Sequence, residues 1–212
     1  MTTLVSTSEY KAWRGITVST YDSIIATMLG WVSADIRRYC GRDLTNGFES
    51  ATRTETYAGS GDIYIQLREW PITSITSVTQ VFAGGSTSAV DSSTYRVDPD
   101  SGILACVDAR RGRFASWQVN ASNGYAGNWL PAPNFVEGFL NYSVVYVGGY
   151  STIPGDLQMA TCLLTDLLYT RRGADLSLKS ETVGQYSYTR ADQPMVAQIR
   201  KDLLAPFNNG TP

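Results

Sequence analysis

Apolar positions recur at helical spacing in three stretches, and between them they alternate. In "TVSTYDSIIATMLGWVSADIRRYCGRDL", Ile25, Met28, Leu29, Val32 and Ile36 fall three and four residues apart. That spacing turns them onto one helical face and predicts a helix over 20–40. Ser19 can cap it, with Asp22 three places on to answer in the manner of a capping box. Arg37 and Arg38 close the last turn, where cations favour the helix dipole, and Gly41 is placed to stop it. A second helix is expected from Asp156, with Leu157, Ala160, Leu164, Leu167 and Leu168 on one face, Arg171 and Arg172 at its end and Gly173 as cap. A third falls in "ADQPMVAQIRKDLLAPF", with Val196, Ile199 and Leu203 on one side and Pro206 ending it. Residues 1–17 read as a short lead-in, and "NNGTP" as a flexible tail.

The middle of the chain reads as β-structure with turn punctuation. "RTETYAGSGDIYIQL" predicts two strands around Gly59-Ser60-Gly61, the second one-sided through Ile63, Ile65 and Leu67. Trp70-Pro71 breaks the strand, and β-character then resumes. "STYRVDPDSGILACV" predicts a hairpin of 95–97 and 103–107 about Asp98-Pro99-Asp100-Ser101-Gly102. Residues 109–135 are the least regular, a Gly/Asn/Pro-rich loop with one strand over 116–119. "GFLNYSVVYVGG" predicts a last strand with Leu140, Tyr142, Val144 and Tyr146 facing one way. "DLSLKSETVGQYSYT" reads as a loop or a small hairpin about Gly184.

A helix of this length cannot bury its apolar face alone, so the two late helices are its expected partners. The prediction is an α+β fold. It comprises a small helical bundle (N-terminal helix plus two C-terminal helices) with a large antiparallel β insertion. Residues 1–50 and 148–212 form the bundle with its C-terminal tail, and 51–147 the β-rich insertion.

Composition narrows the function more than the fold. Only 17% of the 212 residues are charged, against about a quarter in ordinary soluble domains. Thirteen Tyr, five Trp and many Ser and Thr fill the difference. Such a surface suits contact with other protein, and a β-rich domain uses the same residues for its strands. Net charge is −2 and no long basic run exists, so sequence-specific reading of nucleic acid is not expected. A weakly charged lining past which DNA slides remains compatible. Cys40, Cys106 and Cys162 are widely spaced and odd in number, and "MTTLVSTSEYKAWRG" lacks a basic-then-apolar start. Both point to three ordinary thiols in a reducing compartment, with no signal peptide expected. Without secretion the sequons at Asn120 and Asn141 carry no weight. No apolar run approaches the roughly 18 residues that span a bilayer.

Histidine is absent, which removes the commonest general base near neutral pH and the commonest metal ligand. "GSG" at 59–61 and "AGG" at 83–85 lack the spacing and Lys of a phosphate loop. Asp98 and Asp100 lack the glutamate that closes a calcium loop, so a turn is the better reading. Asp91, Asp98, Asp100, Asp108 and Glu137 are the acids available for glycoside chemistry, but most soluble domains scatter as many. No catalytic, cofactor or metal residue is assigned, and the chain is not expected to be an enzyme. Arg110, Arg111 and Arg113 form the densest basic cluster, read either as a contact for acidic protein or phosphate or, more plainly, as a solvated loop. With Trp129 they are candidate loop contacts, since exposed aromatics anchor interfaces or stack on sugars.

Five stretches in order resemble the head–tail connector, or adaptor, family of long-tailed bacteriophages. They are "YDSIIATMLGWVSADIRRYCGRDL", "IYIQLREWPITSITSV", "YRVDPDSGIL", "VVYVGGYSTIPGDLQMATCLL" and "LKSETVGQYSYT". The stretch 109–135 is longer than the resemblance leads one to expect, and no family role is carried onto it. The resemblance implies a structural virion protein of the neck at the portal vertex, assembled in the host cytoplasm. It implies a ring, commonly dodecameric, under the portal protein, extending the channel through which DNA passes and offering a downstream neck or stopper protein a docking surface. The implied portal-binding residues are Leu203, Leu204, Pro206 and Phe207. Ser180, Glu181, Gly184, Tyr186 and Tyr188 are implied ring or neck contacts. No cofactor and no membrane is implied. Alternatives are another β-rich virion protein, such as a stopper or tail terminator, or a carbohydrate-binding virion domain using Trp129.

Overall fold

The computed structural model describes residues 2–107, 135–172, 180–183, 186–189 and 193–208; the side chains of 180–183, 186–189, 193 and 194 are outside that description. The fold is α+β, and the chain divides into two compact units, 1–49 with 151–212, and 50–150.

The first unit is helical. Helix α1 (Thr7–Arg14) lies inside the stretch expected to be a lead-in. Its start is a true capping box: the Ser6 hydroxyl accepts from the Glu9 amide at 3.2 Å, and the Glu9 carboxylate accepts from the Ser6 amide at 2.7 Å. Helix α2 (Asp22–Tyr39) has Tyr21 as N-cap with no side-chain cap. Ser19 contributes only its carbonyl, to the Asp22 amide. The Asp22 carboxylate is taken instead by Lys11 of α1 at 2.7 Å, so a tertiary ion pair displaces the expected cap. Ile25, Leu29, Val32 and Ile36 are buried as their spacing predicts. Helix α3 (Gly155–Arg171) packs against α2 and buries Leu157, Ala160, Thr161, Cys162, Leu164 and Thr165. Leu168, expected on that face, is exposed, and Arg172 stands at the C-cap.

Arg37 is wholly buried near the end of α2. Its Nε donates to the Gly47 carbonyl at 3.0 Å, Nη1 to the Thr2 carbonyl at 2.8 Å and Nη2 to the Thr2 hydroxyl at 3.0 Å. Nη2 also meets Glu49 at 3.3 Å. One guanidinium thus holds the N-terminal strand of chain and the turn after α2 to the same helix.

The second unit holds nine-residue β1 (Ala51–Gly59), β2 (Tyr64–Gln66), β3 (Ile72–Val81), β4 (Thr87–Ala89), β5 (Tyr95–Asp98), β6 (Ile103–Cys106) and β7 (Gly138–Gly148). One antiparallel sheet runs β1-β7-β3-β4 and a second β2-β6-β5. Both close on one core of Ile65, Leu67, Ile72, Val78, Tyr95, Leu104, Phe135, Tyr142, Val144 and Tyr146. The expected hairpin is present as β5–β6, its turn closed by Ser101 donating to Asp98 at 2.5 Å. The Trp70–Pro71 bond, which is cis, lies between β2 and β3. Leu140 departs from the predicted alternation of β7; it is exposed, at φ 48°.

A polar lock sits on this sheet. The Glu55 carboxylate accepts from the hydroxyls of Tyr57 and Tyr146, the latter at 2.8 Å. Those two hydroxyls in turn accept the amides of Arg68 and Glu69 at 3.1 and 3.2 Å. The segment before β3 is thereby held against β1 and β7. Gly148 permits the approach, since a Cβ there would stand 2.0 Å from the Glu69 carbonyl oxygen.

Past α3, β8 (Ser180–Val183) and β9 (Tyr186–Thr189) form a two-stranded hairpin. Helix α4 (Gln193–Ile199) follows, then a π-turn, Arg200–Leu204, and a 3-10 turn, Ala205–Phe207. The π-turn corrects the helical reading. Its wider spacing of hydrogen bonds adds a residue to the turn, so Leu204 rather than Leu203 comes round to the core, fully buried, and Leu203 is left half-buried.

Replacing Arg37 by Leu leaves the buried Gly47 carbonyl without its donor and releases Thr2 and one contact of Glu49. A buried polar group left without its hydrogen bond costs about 1–3 kcal/mol, and a urea titration should show a loss of that order at unchanged slope. A second expectation concerns alkaline pH. Burial pushes the Cys40 thiol up to about 11, with Arg42 opposing. Burial likewise raises Cys106, Cys162, Tyr57 and Tyr146. The folded chain therefore holds these protons more tightly than the unfolded chain. The associated stability is complete below the unfolded thiol value, about 8.5, and falls as pH rises toward about 11. Thermal midpoints should decline across that window and not below it.

Candidate functional site

The C-terminal segment is clamped at two points. Arg200 meets Asp35 at 2.6 Å and lies over the Tyr39 ring. At the far end the Phe207 ring stands edge-on to Phe48, centroids 6.3 Å apart. The Arg42 guanidinium covers Phe48 at 5.2 Å and donates to the Phe207 carbonyl at 3.4 Å. Of the four residues implied as portal contacts, Leu204 and Phe207 are thus buried in the helical unit, Leu203 is half-buried and Pro206 is exposed. The geometry makes Leu204 and Phe207 anchors and leaves Leu203 and Pro206 to present outward.

Of the implied ring or neck contacts, Ser180, Glu181, Tyr186 and Tyr188 lie on the hairpin strands, with Glu181 paired to Tyr188 in register. Gly184 lies outside the described residues, as do Arg110, Arg111, Arg113, Trp129, Asp108, Gly173 and the expected strand 116–119.

Nothing among the described residues resembles a reaction centre. They include no cluster of three or more His, Cys, Asp or Glu side chains able to hold a metal. Cys40 and Cys162 are buried and Cys106 partly so, all free, and their raised pKa values keep the thiolate scarce. Asp98 and Asp91 are engaged in turns, accepting from Ser101 and from the Ser93 amide. No helix of the described residues is long and apolar enough to cross a membrane.

What the surface offers is docking features. On α2, Ile24, Thr27, Met28 and Trp31 line a shallow groove with Ser23, and Trp31 is 64% exposed. This is a second apolar stripe at helical spacing on a helix whose first stripe is core. On the β unit, Val136, Phe139 and Leu140 project together in sequence, with Phe139 88% exposed. Exposed apolar groups gathered in this way mark contact surfaces. Where α1, α2 and α3 meet, Trp13, Tyr10, Tyr169 and Tyr21 form a run of rings 6.0–6.4 Å apart. Arg172 sits in its last corner, 4.0 Å from the centre of the Tyr21 ring and 4.2 Å from that of Tyr169. The sequence reading missed Trp31, Phe139 and Arg172. The signals were a Trp seven residues after Ile24 and an acid-apolar run across the start of β7; nothing local announced the Arg172 corner.

The comparisons bear on the whole arrangement. No curated protein matches the chain in sequence. Among solved structures it resembles a chain from the neck of an empty gene transfer agent particle computed with six-fold symmetry. The TM-score is 0.55 at 13% identity, covering 99% of this chain and 91% of that one. A chain from the virion of the native gene transfer agent particle gives 0.51 at 14%, covering 99% and 91%. One from the neck of the native particle, computed with twelve-fold symmetry, gives 0.51 at 14%, covering 97% and 88%. These likenesses establish the fold nearly end to end. The family model "head completion protein" matches residues 3–137, more than half of the chain. The chain belongs to the head completion protein family.

Proposed function

We propose that this chain is an adaptor of the virion neck, a structural protein whose copies form a ring beneath the portal. The ring extends the DNA channel and gives a downstream neck protein its landing surface. The carrying observation is that the whole chain, helical unit and β unit alike, aligns with neck chains over 97% or more of its length, within a family named for head completion. The twelve-fold symmetry of one of those necks supports a ring of twelve. A head-to-tail ring needs two different surfaces per copy, and the described residues present several unlike apolar surfaces. A predominantly β stopper or tail terminator accounts less well for a helical unit built from both ends of the chain.

In this reading the C-terminal segment faces the portal through Leu203, Pro206 and residues 209–212, held in place by Leu204 and Phe207. Mixing the chain with its portal protein should yield a stoichiometric complex by native mass measurement. A chain stopped at 208 and carrying Leu203→Ser should keep its thermal midpoint and lose most portal binding. Deleting 203–212 should instead destabilise the helical unit, since truncating one buried aromatic costs about 3–5 kcal/mol. Full binding by the first variant would move the contact elsewhere, and absence of any complex with the intact chain would overturn the adaptor reading.

A further inference from the structure

The Arg172 corner carries more than packing. The rings of Tyr21 and Tyr169 meet at 77° with centroids 6.4 Å apart, and the guanidinium carbon lies close to both. A guanidinium presents its hydrogen-bond donors around the rim of its plane, and the two steeply inclined rings hold it in place. The carboxylates nearby are already taken. Asp166 is 2.7 Å from Arg14 and accepts from Tyr10, and Asp22 is 2.7 Å from Lys11. Among the described residues Arg172 has no carboxylate partner, and it is exposed. An oriented, unpaired guanidinium beside the exposed Tyr21 ring is suited to one carboxylate flanked by apolar groups. A phosphate chain is a poor fit, because the flanking ion pairs include two aspartates and net charge is −2.

The same chain carries the complementary piece. Glu137 is exposed and lies between exposed Val136 and the exposed pair Phe139 and Leu140. The segment is held in shape: the Val136 amide donates to the Tyr142 hydroxyl at 2.9 Å. Asn141 donates to the Val136 carbonyl at 2.9 Å and accepts from the Gly59 amide at 2.8 Å. We propose that Glu137 of one copy, flanked by Val136 and Phe139, docks on the Arg172–Tyr21–Tyr169 corner of a second copy as a head-to-tail contact between subunits. The occupant is this chain because charge and apolar flanks match on both sides, and because two unlike surfaces per copy are what a closing ring requires. The inference rests on the ring reading above and deepens it.

Charge reversal tests it. Glu137→Arg places like charges at every contact, and so does Arg172→Glu, so each variant alone should self-associate on the order of tenfold or more weakly by sedimentation velocity. Mixed one to one, every contact between unlike variants is again opposite in charge, and association should return. Glu137 is exposed and makes no described contact of its own, so Glu137→Arg should leave the thermal midpoint unmoved. Arg172→Glu gives up two ring contacts at a helix end and should lower it slightly, and recovery of association on mixing separates that change from the lost contact. Loss in each variant with no recovery in the mixture overturns the proposal, as does a wild-type chain that stays monomeric at its highest soluble concentration. Loss of binding to a short DNA duplex in Arg172→Glu, with self-association unchanged, assigns the corner to phosphate and also overturns it. The portal mixing experiment is independent: a portal complex that survives while the charge pair fails leaves the adaptor reading intact.

Discussion

The buried guanidinium of Arg37 is the constraint on which the helical unit turns. It is taken from water completely, and a charge in that position is tolerable only when its donors are met. They are met by Gly47, both oxygens of Thr2 and Glu49. Those partners come from before α1 and from the turn after α2, so satisfying one side chain settles the path of both. Arg42, five residues on, lies over Phe48 and donates to the Phe207 carbonyl, and so brings in the C-terminal segment. Two arginines thereby tie both ends of the chain to one helix.

The β unit solves a different problem with similar means. Its two sheets meet on an apolar core, but the connection between β2 and β3 must leave one sheet and enter the other. The hydroxyls of Tyr57 and Tyr146 hold that connection by accepting its amides while donating to Glu55, and Gly148 gives it room. A satisfied polar network of this kind rigidifies one arrangement where apolar packing alone would admit several. Rigid elements are the proper mounting for exposed contact groups such as Phe139.

In the role proposed above, the chain must be soluble when free and yet close into an assembly. The surface reconciles these demands with few charges and a small number of oriented groups. The groove on α2, the exposed start of β7 and the Arg172 corner are separate features built from few residues each. In the proposed ring, repetition would multiply a contact that is weak once.

The chain's hydrophobic periodicity by itself determined the α+β class, helix α2 and its inward face, the β5–β6 hairpin and the start of α3. These follow from residues a few places apart, whose side chains share a face whatever lies beyond. The Ser6 and Glu9 capping box was equally local and was legible in "STSE", although the stretch was read as a lead-in. The tertiary structure alone decided the rest. It gave Asp22 to Lys11 instead of to a cap, and turned Leu204 inward by a π-turn that no periodicity announces. It also buried Phe207 beneath Arg42, and set Arg172 between rings from α2 and α3. Each of these depends on groups more than ten residues apart or on strain relieved by packing, and such pairings are fixed by the energy of the assembled whole rather than by any local preference.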